Sequence, residues 1–165
     1  GILVPPGVRF SLINTGDEPL VFYLWIEPIP EGFTPRKDVF IRDTSTVPIS
    51  GPGHWTNYNK TIFNKKDGLA LLMGFSETWM FPMAIAQMHA SRPVGTDVVW
   101  VAVEGDIYTQ VGKKLYHLEP GMGFKNPSDG RVYHGNINIT DKPIMLIWSR
   151  TDALSEDELK KWPLR

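Results

Sequence analysis

The stretch Met88–Asp106 reads MHASRPVGTDVVWVAVEGD, and its reading decides the fold. Val98–Val103 is a run of valines with one tryptophan and one alanine, the composition of a half-buried strand. It ends at Glu104-Gly105-Asp106, a turn signal. Alternation along the run places Val98, Trp100 and Ala102 on one side. The residues leading into the stretch, Pro82–Ala90, read as another strand. The same period there places Met83, Ile85, Gln87, His89 and Ser91 on one side. A strand, a glycine-bearing loop and a second strand can present metal ligands into a shared pocket, yet His89 is the only imidazole in the stretch.

The pattern continues outward. Leu69–Phe75, Asp106–Gly112, Lys113–Glu119, Gly121–Asn126, Arg131–Asn138 and Pro143–Arg150 all read as short strands. Gly112-Lys113, Pro120-Gly121 and Asp141-Lys142 separate them. Short strands at near-regular spacing with Gly and Pro turns predict an all-β barrel or sandwich. Upstream, Val8–Asn14 and Pro19–Ile26 flank the polar turn Thr15–Glu18, which predicts a hairpin. Asp38–Asp43 reads as a short strand, and Pro48–Trp55 as a loop. In the tail, Ser155 with Glu158 forms a capping box, Leu154 and Leu159 a hydrophobic staple, and Pro163 a stop. A short C-terminal helix is expected there.

Composition narrows the function classes. The chain has 165 residues, enough for one substantial core. Its formal charge is -1, without a basic run, so nucleic acid is not an expected partner. No apolar run is long enough to span a membrane, and a soluble protein, cytoplasmic or exported, is expected. Cysteine is absent, which removes disulfides, thiol nucleophiles and thiolate metal sites. No phosphate loop or nucleophile elbow is present. Asn59-Lys60-Thr61 and Asn138-Ile139-Thr140 match the glycan acceptor pattern, which matters only in a glycosylating pathway. The chain opens on GILVPPGVRF, which reads as the middle of a fold, as in a fragment or a trimmed form.

The sequence echoes itself. RFSLINTGDEPLVFYLWI from Arg9 and YHGNINITDKPIMLIWSR from Tyr133 align at a constant offset of 124 residues. Asn14 falls on Asn138, Asp17 on Asp141, Pro19 on Pro143 and Phe10 on His134. The turn logic is common to both: Asn ends one strand, Asp helps the turn, and Pro sits early in the next. Within the second copy, alternation aligns Val132, His134, Asn136 and Asn138. A barrel that turns His89 inward could bring His134 inward on another strand, and two facing imidazoles make half a metal site. The bland alternative is a pair of polar residues hydrogen-bonded in an enclosed pocket. His54 beside Trp55 and His117 between apolar neighbours read as surface or packing residues, and Asp97 as a loop anchor.

On these residues the chain resembles the cupin family. The carrying features are His89-x-Ser91, then Gly95 through Val98 to Gly105-Asp106, then Pro127, Gly130, His134 and Asn138. The resemblance implies a double-stranded β-helix barrel with extra N-terminal strands. It places His89 and His134 at two metal-ligand positions. Ser91 falls where a second histidine belongs and Val98 where a glutamate belongs, so the implied ligand set is incomplete. Gln87 shares the expected His89 face, and Trp100 and Asn136 are expected to line the same pocket. The resemblance also implies a layout: residues 1–27 like the end of a preceding cupin unit, 28–67 a linker with additional strands, 68–150 the core barrel and 151–165 the tail.

Two functional readings follow from the resemblance. One is a small-molecule-binding or structural module with no cofactor, whose ligand is a small organic acid or sugar. The other is an enzyme using a divalent transition metal on such a compound, as a decarboxylase, dioxygenase, isomerase or lyase. The apolar start of the chain needs cover, so a homodimer or pairing with an upstream cupin unit is expected.

Overall fold

The computed structural model describes residues 1–50, 52–53, 56–91 and 93–152. Twelve strands run through the described residues: β1 (Ile2–Leu3), β2 (Phe40–Ile41), β3 (Pro52–Gly53), β4 (Asn57–Asn64), β5 (Leu72–Met80), β6 (His89–Ala90), β7 (Val98–Glu104), β8 (Ile107–Val111), β9 (Lys114–Leu118), β10 (Gly123–Asn126), β11 (Tyr133–Ile137) and β12 (Ile144–Thr151). A six-stranded sheet has the order β10-β7-β12-β5-β4-β3, and a four-stranded sheet the order β6-β11-β8-β9. Every pairing is antiparallel. The protein is therefore all-β. The expected C-terminal helix falls at residues 154–162, outside the described residues.

The core lies between the two sheets. Met80, Ala102, Ile144 and Leu146 come from the larger sheet and Ile107 from the smaller, and each is about 1 % exposed. Full burial of such a side chain stabilises the fold by roughly 1.5–3 kcal/mol, and these alternate positions on neighbouring strands point to one side. Gly105 makes the β7–β8 turn possible. Its φ of +78° is a left-handed conformation, and an added Cβ would stand 2.5 Å from Ile144 Cγ2.

The inner face of β4 and β5 is polar, contrary to the usual rule for a barrel core. Asn57, Asn59 and Thr61 oppose Met80, Thr78 and Ser76 across the ladder. Asn57, Ser76 and Thr78 are buried. Thr78 Oγ1 donates to Asn59 Oδ1, and Ser76 Oγ meets Thr61 Oγ1 at 3.4 Å. The opposite face carries Tyr58 stacked on Trp79, with Glu77 accepting from the Trp79 indole.

The expected N-terminal hairpin is corrected by the structure. Residues 8–14 and 19–26 form no ladder with each other or with any other described residue. The second copy shows why. Its two arms, β11 and β12, do not pair with one another either: β11 joins the four-stranded sheet and β12 the six-stranded one. The motif is a corner that feeds two sheets, and the sequence signature of a turn between apolar runs does not separate a corner from a hairpin.

The N-terminal segment is tied down at its far end. Trp25 packs edge-on against Phe75 at 5.0 Å, and its indole N–H donates to Ser149 Oγ at 2.9 Å. The Glu27 carboxylate accepts the backbone N–H groups of Ala70, Leu71 and Leu72 at 2.6, 2.8 and 2.9 Å. A small satellite core joins Ile62, Phe63 and Leu69 to Leu3 and Phe40. Arg42 lies over the Phe40 ring and pairs with Asp67 at 2.9 Å. Among the described residues no helix is long and apolar enough to cross a membrane.

Candidate functional site

His89 and His134 are direct partners in the β6–β11 ladder, with ring centroids 4.4 Å apart. A slip of one residue brings them to one face. Upstream, Ile85 bridges Ile137, and the Ala86 and Asn138 N–H groups donate to Asn136 and Ala84 carbonyls. Continuing that register would set Met88, not His89, opposite His134. An extra residue between Ala86 and His89 turns the chain over, as a bulge does. The expected common face of Met83, Ile85, Gln87 and His89 therefore does not form. Met83 and Ile85 are 73 % and 61 % exposed, whereas Ala84 and Ala86 are buried. Gln87 is exposed; its carbonyl, not its side chain, meets His89 Nδ1 at 3.0 Å. Met88 crosses over Gly135, where an added Cβ would sit 2.5 Å from its sulfur.

His134 is 3 % exposed, and its Nε2 lies 2.7 Å from Asn126 Nδ2. Asn126 ends β10, which pairs with β7 and sets Asn126 opposite Val98. It is fully buried, and among the described residues its Oδ1 has no hydrogen-bond partner. Asn136, two residues along β11, accepts from Thr109 Oγ1 at 2.9 Å. Trp100 and Trp148 stand opposite each other on β7 and β12 with ring centroids 5.6 Å apart. Among the described residues both buried indole N–H groups have no acceptor, and the buried Asn57 Oδ1 has no donor. Asn126, Trp148 and Asn57 are absent from the sequence-derived set. Asn126 is the last residue of a short strand and precedes a proline, a context that reads as a strand end, and only the β10–β7 pairing brings it to His134.

The remaining sequence-derived residues are placed as follows. Ser91 is 5 % exposed, and among the described residues its hydroxyl has no partner. Val98 is buried. Asp97 holds Lys125 at 2.9 Å, and its backbone N–H bonds Thr151 Oγ1. His117 is exposed, 3.5 Å from Asp106 and 4.9 Å from the Tyr108 ring. Asn138 is 1 % exposed and fully engaged in its turn, which leaves no room for a glycan on that acceptor triplet. His54 lies outside the described residues.

The ligand positions implied by the resemblance do not fit a transition metal. Val98 supplies no donor atom, and a serine hydroxyl is a poor donor beside imidazole or carboxylate. The in-plane Nε2 of His134 already faces an amide at hydrogen-bonding distance. Among the described residues no three His, Cys, Asp or Glu side chains gather around one point.

The loop entering β11 is held by a carboxylate. Asp129 Oδ1 accepts the N–H groups of Arg131 and Val132 at 2.8 and 3.0 Å. These two bonds hold its carboxyl below the ordinary 3.8. Its folded pKa thus lies under the unfolded one, so its contribution is complete above the ordinary value and is lost as pH falls through the lowered one. Acid titration followed by NMR should show the Arg131 and Val132 amide resonances moving together with the Asp129 carboxyl, below its ordinary midpoint.

A scan of the sequence against protein families returns no match, and no curated protein matches it in sequence. The architecture is matched by many solved structures. A predicted oxalate decarboxylase from Thermotoga maritima superposes with a TM-score of 0.60 at 10 % identity, over 68 % of this chain and 98 % of that one. The cupin domain of Schizosaccharomyces pombe Cnp3 gives 0.58 at 14 % identity, over 75 % and 80 %. An RmlC-like cupin from Shewanella frigidimarina gives 0.53 at 22 % identity, over 78 % and 96 %. The chain has the cupin fold. It is a cupin barrel in which serine and valine stand at two of the four positions where the resemblance implies ligands.

Proposed function

We propose that this chain is a metal-independent, small-molecule-binding cupin module whose ligand is a small polar compound, an organic acid or a sugar. The observation that carries this reading is the His134 Nε2–Asn126 amide contact at 2.7 Å, which commits this buried imidazole to a hydrogen-bond network. The buried residues of the same two sheets carry further polar atoms that lack partners among the described residues. The Trp100 and Trp148 indoles can donate, and Asn126 Oδ1 and Asn57 Oδ1 can accept. Leaving a buried polar group unpaired costs about 1–3 kcal/mol, so a hydroxyl- or carboxylate-rich ligand that reached them would gain from each. The aromatic faces of Trp100 and Trp148 supply the flat apolar surface that small-molecule sites combine with a few fixed polar groups. Structural neighbours named as a predicted oxalate decarboxylase and a sugar phosphate isomerase belong to the same ligand size range.

The test is calorimetric titration with a panel of small organic acids and sugars, beside elemental analysis of protein purified without added metal. Binding by one class, weakened at least about tenfold in His134→Phe, is the expected result, since the loss of one buried hydrogen bond corresponds to about 1.4 kcal/mol. A stoichiometric transition metal that is lost in His89→Ala would overturn the reading in favour of a metal-dependent enzyme.

A further inference from the structure

Arg150 follows Trp148 by two residues on β12, so the two side chains leave the strand on one side. The ladders fix which side. Arg150 stands opposite Val98 on β7 and Gly74 on β5, and Trp148 stands opposite Trp100 and Ser76. Directly opposed residues of an antiparallel pair share a face, and Val98, Trp100 and Ser76 are buried on the inner one. Arg150 therefore springs from the inner face of the six-stranded sheet. Among the described residues of that sheet it is the only Lys or Arg to do so. Lys60 and Lys125 stand opposite Glu77 and Val99, on the other face.

An arginine in such a place needs an acceptor. Its five N–H groups stay charged at every ordinary pH and bring no acceptor of their own. Arg150 is half-buried, and among the described residues its guanidinium takes part in no hydrogen bond or ion pair. The carboxylates that adjoin it along the chain and across the ladder are committed elsewhere. Asp152, two residues on, pairs with Lys65, and Asp97, beside Val98, pairs with Lys125 at 2.9 Å.

The neighbours of Arg150 leave it room. Val98 lies between Arg150 and Asn126 in one row across β12, β7 and β10. Two strand spacings put the Arg150 and Asn126 backbones about 10 Å apart. Asn126 is the residue whose amide meets His134 Nε2 at 2.7 Å. The next row on the same face holds Trp100 and Trp148. On the far side of Arg150 stands Gly74, where an added Cβ would meet nothing closer than 3.8 Å.

From this placement we infer that Arg150 selects the charge of the ligand, and that the compound taken by the barrel is a small carboxylic acid and not a neutral sugar, a narrowing that rests on the small-molecule reading above. The guanidinium receives the carboxylate through two parallel N–H···O bonds, a geometry that a planar fork makes and an ammonium does not. The remainder of the acid lies over the Trp100–Trp148 pair and reaches toward Asn126 Oδ1, which has no partner among the described residues. One cation matches one negative charge, which favours a monocarboxylate over a phosphate ester.

The test is calorimetric titration at neutral pH and low salt with matched pairs, lactate beside lactamide and glucuronate beside glucose, and with glucose 6-phosphate as a second anion. The expected result is an acid that binds at least about tenfold more tightly than its neutral partner, with the ratio falling to about one in Arg150→Met. Arg150→Lys keeps the charge without the fork and should retain only part of the ratio. If Arg150→Met fails to fold, the wild-type ratio and Arg150→Lys decide, and an undiminished ratio in Arg150→Lys then overturns the inference. A neutral partner that binds as tightly as its acid, a phosphate ester that binds more tightly than glucuronate, or a full ratio kept by Arg150→Met overturns the inference and leaves the small-molecule reading in place. Absence of binding by every compound overturns that reading itself, and this inference with it.

Discussion

Replacing Asn138 by alanine should destabilise the fold by about 3 kcal/mol, read as a lower urea midpoint at unchanged slope. The side chain is 1 % exposed and spans the corner between the sheets. Its amide donates to the carbonyls of Phe81 and Lys142 at 2.9 and 2.7 Å, and its oxygen accepts the Thr140 N–H at 2.9 Å and the Thr140 hydroxyl at 2.7 Å. Alanine leaves these groups without partners, and each such loss costs about 1 kcal/mol or more. Asn14→Ala is the control. Two of these bonds, to the Glu18 carbonyl and from the Gly16 N–H, recur there in an exposed turn, where water replaces them, and the change in this 165-residue chain should stay under about 1 kcal/mol. Equal costs at the two positions would contradict the account of the first turn as unsupported by a barrel.

The second large effect is expected at Glu27. Its carboxylate accepts three successive backbone N–H groups, from Ala70 to Leu72, at the entry to β5. Charge-assisted bonds of this kind are stronger than neutral ones. Glu27→Ala leaves three donors to water and should cost about 2–3 kcal/mol. It should also release Trp25 from Phe75 and Ser149, because Glu27 is the adjacent anchor of the same segment. Tryptophan fluorescence and the exchange rates of the Ala70–Leu72 amides report the two consequences separately. Glu27→Gln should restore part of the loss, since an amide oxygen accepts but carries no charge. A variant with unchanged amide exchange at 70–72 would remove Glu27 from this role.

The strands most legible in the sequence are those bounded by chemistry that belongs to turns. β7 and β8 meet at Gly105-Asp106, where a left-handed backbone is needed and glycine supplies it. β4 was not legible, because its inner residues Asn57, Asn59 and Thr61 are polar and its core-facing side therefore looks like a solvent face. β5 was displaced for the same reason: Ser76 and Thr78 interrupt the apolar pattern, which placed it at 69–75 instead of Leu72–Met80. The site was legible where one strand carries two contributors, as with His134 and Asn136. Asn126, Trp148 and Asn57 come from three other strands, and only ladder register brings them to the same interior. Alternation also misassigned Gln87, because a period of two cannot anticipate the extra residue ahead of His89.

That extra residue lets a histidine that is out of phase with Ala84 and Ala86 stand opposite His134 all the same. Deleting one amino acid from the Gln87–Met88 step, with every histidine retained, would give an uninterrupted ladder with the same two rings still opposed. A lineage or a designer could therefore lose one codon here in frame and keep the imidazole pair.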